Sequence, residues 1–454
     1  MNPFQIYVPN DARKPIAMAW MMLGLLALIA SGLFSIMLVM SRTPLLQNIF
    51  PVAYFFRVAL VAHVDLSVLV WFLSLGGALW TLSASMRYLH LAWIAFWISA
   101  MGVTTLCIAP FANLATPVMA NYIPVLDGPV FLSGLILFAT GISIICFRSL
   151  LCASPVGVRI SGHGAIQLGL NAALISTAVA LIVFLWSWMA VPKNLDPRTY
   201  YELLFWGGGH VLQFSYTLLM LVCWLCLAST LNPNLQIAPR IIVLLFAIAL
   251  IAVFLTPVTF LIYDVTSVEH HKMQTALMRY GGGVVIAPIA ILVIQSMREA
   301  QSMDSTARPL RSSLIASLVL FVSGGVIGFL ISGNNVKIPA HYHGCIVGVT
   351  LALMGMVYRM LPQFGFAAPH SKMAAWQPLI YGIGQLMHMG GLVWSGGYGV
   401  ERKLAGSEQT LQTTAQIWGM GLMGLGGLIA IIGGILFLII VGQLVFKNRK
   451  VNEL

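Results

Sequence analysis

From position 16 to position 445 the chain is a succession of long apolar runs: 16–40, 53–82, 91–112, 123–147, 164–191, 203–230, 240–262, 274–297, 313–333, 340–361, 376–397 and 415–445. An α-helix needs roughly 20 apolar residues to cross the hydrocarbon core of a bilayer, and each run meets that length. The expected fold is therefore all-α: a polytopic integral membrane protein with about 12 transmembrane helices. Composition removes the alternatives. The chain is 59% hydrophobic and 8% charged, whereas a soluble domain carries about 25% charged residues. Its 42 Gly and 21 Pro show no Gly-X-Y period, so it is not collagen-like.

Basic or Pro/Gly-containing breaks separate most runs, and the longest polar stretch, Arg298 to Arg311, is short. There is no internal repeat and no soluble domain. We therefore expect a single transmembrane helical domain over 1–454, with short cytoplasmic tails 1–15 and 446–454. The first run, Pro15 to Met40, is too long for a signal-peptide core, and no small-residue cleavage site follows it. The net charge of +11 is scattered between spans, so it reads as a topology signal and not as a nucleic-acid surface. Lys and Arg are more numerous on the side that holds the termini, Arg13, Lys14, Arg87, Arg148, Arg298, Arg308, Arg311 and Lys447 among them. That places both termini in the cytoplasm, most simply of a bacterial inner membrane. Of six cysteines, Cys223 and Cys226 form a C-x-x-C inside a span. Without a second pair they read as packing residues, and no disulfide framework is expected.

The histidines are placed unusually. His63 lies near the start of the second run and His210 near the start of the sixth; His270 and His271 follow the seventh; His341 and His343 open the tenth. Under the topology above, all six share one depth at the outer ends of their helices. Ionisable groups at membrane depth are expensive and mark functional sites. Imidazole is also the commonest ligand of haem iron and copper. Two residues apart on a helix is about 200° of rotation, so His341 and His343 can serve metals on opposite flanks. Adjacent His270 and His271 at a helix end can bend to one ion, to which His210 can add a third nitrogen. His63 can supply a second axial ligand to a haem. His90, His163, His370 and His388 read as interhelical hydrogen-bonding residues.

At these residues the sequence resembles subunit I of the haem–copper oxidase superfamily, which includes cytochrome oxidases and nitric oxide reductases. The segments that carry the resemblance are Phe205-Trp206-Gly207-Gly208-Gly209-His210, Glu269-His270-His271, Ser323-Gly324-Gly325-Val326-Ile327-Gly328, Ala340-His341-Tyr342-His343 and Tyr358-Arg359-Met360-Leu361-Pro362. The resemblance implies two haems and one copper or non-haem iron. His63 and His343 would be the axial ligands of a low-spin haem. His341 would be the axial ligand of a high-spin haem with an open face. His210, His270 and His271 would bind the copper or iron, and Arg402 and Lys403 would meet the haem propionates. His210, His270, His271 and His341 would together form the catalytic set.

The chain also departs from that pattern. Dioxygen-reducing members usually place a tyrosine, bonded to the ligating histidine, four residues after it; here that position is Phe214. Tyr263, seven residues before His270, is an alternative phenol in an unexpected register. The family's span 6 glutamate position is Leu212, and Pro288-Ile289-Ala290-Ile291-Leu292 lacks the expected lysine. The cytochrome-linked nitric oxide reductases carry a glutamate where Phe214 stands. Gln213 and Glu269 are therefore candidates for the second metal's surroundings, and Asp65, Asp264 and Glu202 for proton delivery from the outer side. The expected function is the catalytic subunit of a membrane respiratory reductase. The favoured reaction is NO to nitrous oxide; dioxygen to water by a cytochrome c or quinol oxidase is the alternative, and a non-catalytic haem membrane protein a second one. No C-x-x-C-H haem attachment motif is present. Electrons would come from a partner subunit (a copper-domain protein or c-type cytochrome) or from quinol.

Overall fold

A backbone in hydrocarbon can bond only to itself or to buried side chains, and the chain meets this with helices almost throughout. The computed structural model describes residues 4–44, 46, 53–112, 115–157, 160–233, 235, 237–299, 304–331, 335–404 and 409–447. The end of the expected C-terminal tail, with Arg449 and Lys450, lies outside the described residues. The helices are α1 (Arg13–Arg42), α2 (Ala53–Val64), α3 (Trp71–Ser83), α4 (Leu89–Ile108), α5 (Pro129–Leu151), α6 (Gly162–Ala190), α7 (Pro197–Leu231), α8 (Pro239–Ile262), α9 (Val268–Glu299), α10 (Ala307–Phe329), α11 (Lys337–Phe364), α12 (Lys372–Gly397) and α13 (Thr414–Lys447). A π-helical segment, Asp65–Val70, joins α2 to α3, so Phe55–Ser83 is one span. Between α4 and α5 lies a small antiparallel hairpin, β1 (Thr116–Val118) and β2 (Val125–Asp127), with Pro117 opposite Leu126.

Among the described residues, 11 helical segments are long and apolar enough to cross a membrane. The twelfth expected span, 376–397, is the 26-residue helix α12. It misses that apolar threshold because it carries Gln377, Gln385, His388 and Ser395, all buried. The polar groups work between helices. Gln377 accepts from the Tyr358 hydroxyl of α11 at 2.9 Å and donates to the Gly433 carbonyl of α13 at 3.0 Å. Helix starts follow local chemistry: Asp196, Ser161 and Ser371 each accept from a backbone N–H of the first turn that follows, the ordinary way to satisfy an orphan donor.

The chain divides into two compact units. One comprises Met1–Ala27 and Val64–Gln301, the other Leu28–His63 and Ser302–Leu454. In the first unit, two arginines hold the C-terminal end of α3. Arg13 donates to the Leu82 and Ala84 carbonyls at 3.1 and 2.7 Å. Arg148, fully buried, donates to the carbonyls of Ser85 and Arg87. In the sequence both read as topology charges; in the structure Arg13 satisfies carbonyls at the end of α3 that a helix leaves open, and Arg148 ties down the loop that follows it. In the second unit, α12 and α13 meet backbone to backbone. A side-chain carbon at Gly391 would collide with the Met423 backbone, and one at Gly426 with that of His388. Small residues at helical spacing permit such close approach in lipid, where packing replaces the hydrophobic effect between helices. No disulfide joins the six cysteines, and Cys223 and Cys226 are fully buried.

Removing the guanidinium of Arg148, itself fully buried, takes away the donor that ties the Ser85 and Arg87 carbonyls to α5. We expect Arg148→Ala to destabilise the detergent-solubilised protein by roughly 2–3 kcal/mol in a thermal or denaturant titration. Arg87→Ala, which keeps the backbone carbonyl and removes an exposed side chain, should stay near wild type.

Candidate metal and haem site

The first unit carries His210, His270 and His271. His210 sits on α7, 3% exposed, where the triple glycine before it lets neighbouring rings close in. A side-chain carbon at Gly208 would strike Phe184, and one at Gly209 would strike the Tyr122 ring. The His210 Nδ1 donates to the Trp206 carbonyl at 2.7 Å, since a carbonyl can only accept. The neutral ring therefore carries its lone pair on Nε2, and the Tyr122 hydroxyl donates to that nitrogen at 2.8 Å. On α9, His271 donates from Nδ1 to the Ser267 carbonyl at 3.1 Å. His270 is 1% exposed and rests edge-on against Phe260, centroids 4.5 Å apart. Its Nδ1 is buried without a partner, and Gln274 Nε2 stands 3.5 Å from its Nε2. The Trp206 indole lies between the rings, 4.9 Å from His210 and 4.8 Å from His271.

The second unit carries the axial candidates. His63, at the end of α2, has its Nδ1 3.1 Å from the Ser31 carbonyl and 2.9 Å from the Ser31 hydroxyl. On α11, His341 donates from Nδ1 to the Gly324 carbonyl of α10 at 2.7 Å. Gly328, one turn on, lies so close to this ring that a side chain there would sit 2.8 Å from its Nδ1. The glycines of 323–328 thus seat His341. His343 faces the other way, as its spacing predicts, toward α12: its Nδ1 is 3.2 Å from Gln385 Oε1, and its ring lies 4.5 Å from that of His388. His63 lies within electrostatic range of both His343 and His388.

Five of the six predicted ligand rings therefore have Nδ1 engaged. Orienting a metal-ligating imidazole through its second nitrogen is how protein sites hold such ligands. The donor set fits the implied groups on this ground and on a second: the orphaned, buried His270 nitrogen is costly, and a metal would satisfy it. As placed, no three His, Cys, Asp or Glu side chains among the described residues close to coordinating distance. His210, His270 and His271 share one neighbourhood around Trp206 without forming a cage.

The other candidates divide. Asp65, on the π-helical segment, is 1% exposed, with neither carboxylate oxygen hydrogen-bonded. Gln213 has a buried, unpartnered Oε1. Glu269 is exposed in the first turn of α9, where an acid suits the helix dipole. Asp264 is exposed and builds the turn before α9, accepting from the Thr266 N–H and hydroxyl; those bonds hold its carboxyl below the usual range. Tyr263 ends α8, its N–H bonded to the Thr259 carbonyl. Arg402 and Lys403 follow a backbone bridge between Glu401 and Asn335, which sets the basic pair beside the start of α11, the helix of His341 and His343. Glu202 holds the loop of Tyr122 through Asn121.

Four participants had no sequence signal. Tyr122 lies 88 positions from His210. Ser31 and Gln385 are ordinary polar residues until a histidine meets them. Arg42, counted as a loop charge, donates to Gln409 at 3.2 Å and keeps a buried, unpartnered Nη2. His388 keeps its expected interhelical bond, Nδ1 to the Met423 carbonyl at 2.9 Å, and also packs on His343.

Over residues 15–436 the chain matches the family described as cytochrome c and quinol oxidase polypeptide I. It belongs to that family and is a haem–copper oxidase subunit I, an integral membrane protein of the lipid bilayer. Members of the family generally bind haems and copper. Two relatives carry no assigned activity. An uncharacterized protein of Rickettsia prowazekii is 29% identical, over 96% of this chain and 98% of its own length. An uncharacterized protein of Aquifex aeolicus is 26% identical, over 80% of this chain and 88% of its own.

If His270 is a ligand of the second metal, His270→Ala lowers the copper or iron content of the purified protein and leaves the low-spin haem spectrum intact. His343→Ala does the reverse. The Asp264 carboxyl, lowered in the folded state, stabilises its turn above its unfolded value of 3.8 and loses that effect as pH falls through the folded value. The protection factor of the Thr266 amide, its exchange measured against the intrinsic rate at each pH, should therefore fall in acid, and Asp264→Asn should remove that pH dependence.

Proposed function

We propose that this chain is the catalytic subunit of a respiratory reductase that couples two NO to nitrous oxide and water. It would act as one transmembrane domain over 1–454 in a bacterial inner membrane, with both termini cytoplasmic. His63 and His343 would hold a six-coordinate haem that passes electrons. His341 would hold a second haem, and His210, His270 and His271 a copper or iron; together these supply the electrons and the binding positions for the gas. Arg402 and Lys403 would neutralise the propionates. The chain's own residues orient all of these ligands except His270 through Nδ1, and Asp65, Gln213 and Glu269, near the histidines in the sequence, would be hydrogen-bonding or proton-carrying groups. Electrons would arrive from a partner subunit with a copper domain or c-type cytochrome, or from quinol.

One observation carries the choice of gas. From Val211 to Leu231, α7 has no Asp, Glu, Lys or Arg, and Phe214 is buried against Gly281 of α9. A pumped, four-electron reaction draws protons inward along such a helix and uses a phenol after the histidine. NO coupling needs two electrons and two protons, which the outer side can deliver. Dioxygen reduction is the second reading, supported by the Tyr122 phenol, which reaches His210 from the hairpin instead of from α7.

Purified protein given a reduced donor should consume NO, followed with an NO electrode, at least tenfold faster than oxygen. Faster oxygen uptake reverses the assignment. Metal analysis showing haem but no copper or non-haem iron returns the chain to a non-catalytic haem protein.

A further inference from the structure

The hairpin between α4 and α5 has no part in a transmembrane bundle, yet the first helical turns of α7 are built to hold it. The Glu202 carboxylate accepts from the Asn121 backbone N–H at 2.9 Å and from the Asn121 side-chain amide. The Tyr201 hydroxyl donates to Asp127 at 2.7 Å, at the end of β2. Between these two ties stands Tyr122, with φ +66°, a left-handed conformation that side-chain-bearing residues rarely adopt. The turn aims its ring at α7, where Gly209 leaves the space that the ring fills. Trp206 meets it edge-on, centroids 5.7 Å apart. The hydroxyl ends 2.8 Å from His210 Nε2. Backbone strain, a two-point carboxylate clamp and a glycine vacancy all serve one outcome: a phenol against one ligand ring.

The position of that oxygen matters because the Nδ1 of His210 is already committed to the Trp206 carbonyl at 2.7 Å. Nε2 is therefore the nitrogen with a lone pair to give. Imidazole holds a metal closer than the 2.8 Å at which the hydroxyl now stands, so a metal taken up on Nε2 would turn the hydroxyl aside and keep it as a neighbour. The phenol then loses its acceptor nitrogen and keeps its O–H.

We propose that Tyr122 is a further catalytic residue of the three-histidine site, a neighbour of the second metal that donates a hydrogen bond to the oxygen of the bound gas. This rests on the reading that His210 ligates the metal. Glu202 and Asn121 are positioning residues that act through Tyr122. The phenol keeps its proton in this role; it orients and polarises the gas.

Tyr122→Phe in the full enzyme removes the hydroxyl and keeps the ring. We expect copper or iron content and both haem spectra to match wild type. The C–O stretching band of carbon monoxide on the reduced enzyme should shift, and kcat for the gas should fall roughly a hundredfold, the usual effect of removing one preorganised donor. An unshifted band with wild-type kcat, in protein that retains the metal, overturns the proposal. Wild-type protein without a second metal overturns the reading of His210 instead. If Tyr122→Phe does not assemble, Glu202→Gln, which loosens the clamp and keeps the phenol, reads the same band: a shift or broadening supports the role, and an unchanged band with unchanged kcat overturns it.

Discussion

An imidazole buried among helices in lipid is useful as a ligand only if one nitrogen is satisfied by the protein and the other is left for a metal. Five of the six candidate ligand histidines meet the first half of that requirement, with Nδ1 bonded to an oxygen of the protein. His210 and His271 solve it within their own helices, by bonding Nδ1 to the carbonyl four residues back. His341 solves it across helices, on the Gly324 carbonyl of α10. His63 uses Ser31 of α1, and His343 uses Gln385 of α12. Water can offer no substitute in hydrocarbon, so each missing contact would leave a costly orphan.

The packing exists to make those contacts possible. A carbonyl is available to a side chain on another helix only where two backbones run close. Gly324 lies directly against Gly344 and Cys345 of α11, three residues from the ring that its carbonyl orients. Between α12 and α13 the same device brings His388 to the Met423 carbonyl. Glycine here is a packing residue whose purpose is electrostatic: it shortens an interhelical distance until a hydrogen bond forms. The polar residues that make α12 less apolar than its neighbours are those that bind it to α11 and α13.

Polarity is distributed unevenly along the helices that bear the histidines. α7 has a carboxylate, phenols and His210 in its first turns and no acid or base from Val211 onward. α9 shows the same asymmetry, with Glu269, His270, His271 and Gln274 at one end and Gly281 to Gln295 free of Asp, Glu, Lys and Arg. Proton traffic needs groups that can take and release protons at short intervals, and the long middle stretches of α7 and α9 carry no Asp, Glu, Lys or Arg to offer them. Asp264, although close in sequence, is occupied by its turn, whereas Asp65 is buried with both oxygens unbonded.

The sequence by itself determined the solvent of the fold, the helical class and the opposite facing of His341 and His343 on α11. Each of these depends on local rules: run length, the rise and rotation of a helix, and the cost of an ionisable group in lipid. His341 and His343 face different neighbours because two residues turn a helix through about 200°. Only the tertiary structure decided which oxygen orients His63, His341 and His343, that Arg13 and Arg148 hold the end of α3 and the loop beyond it, that His388 packs at a tilt on His343, and that Tyr122 reaches His210. Those are encounters between residues 17 to 88 positions apart, set by how closely helices approach and by a strained turn in a short hairpin. No periodicity or composition along the chain encodes such a meeting, because the distance that matters to a hydrogen bond is measured through space.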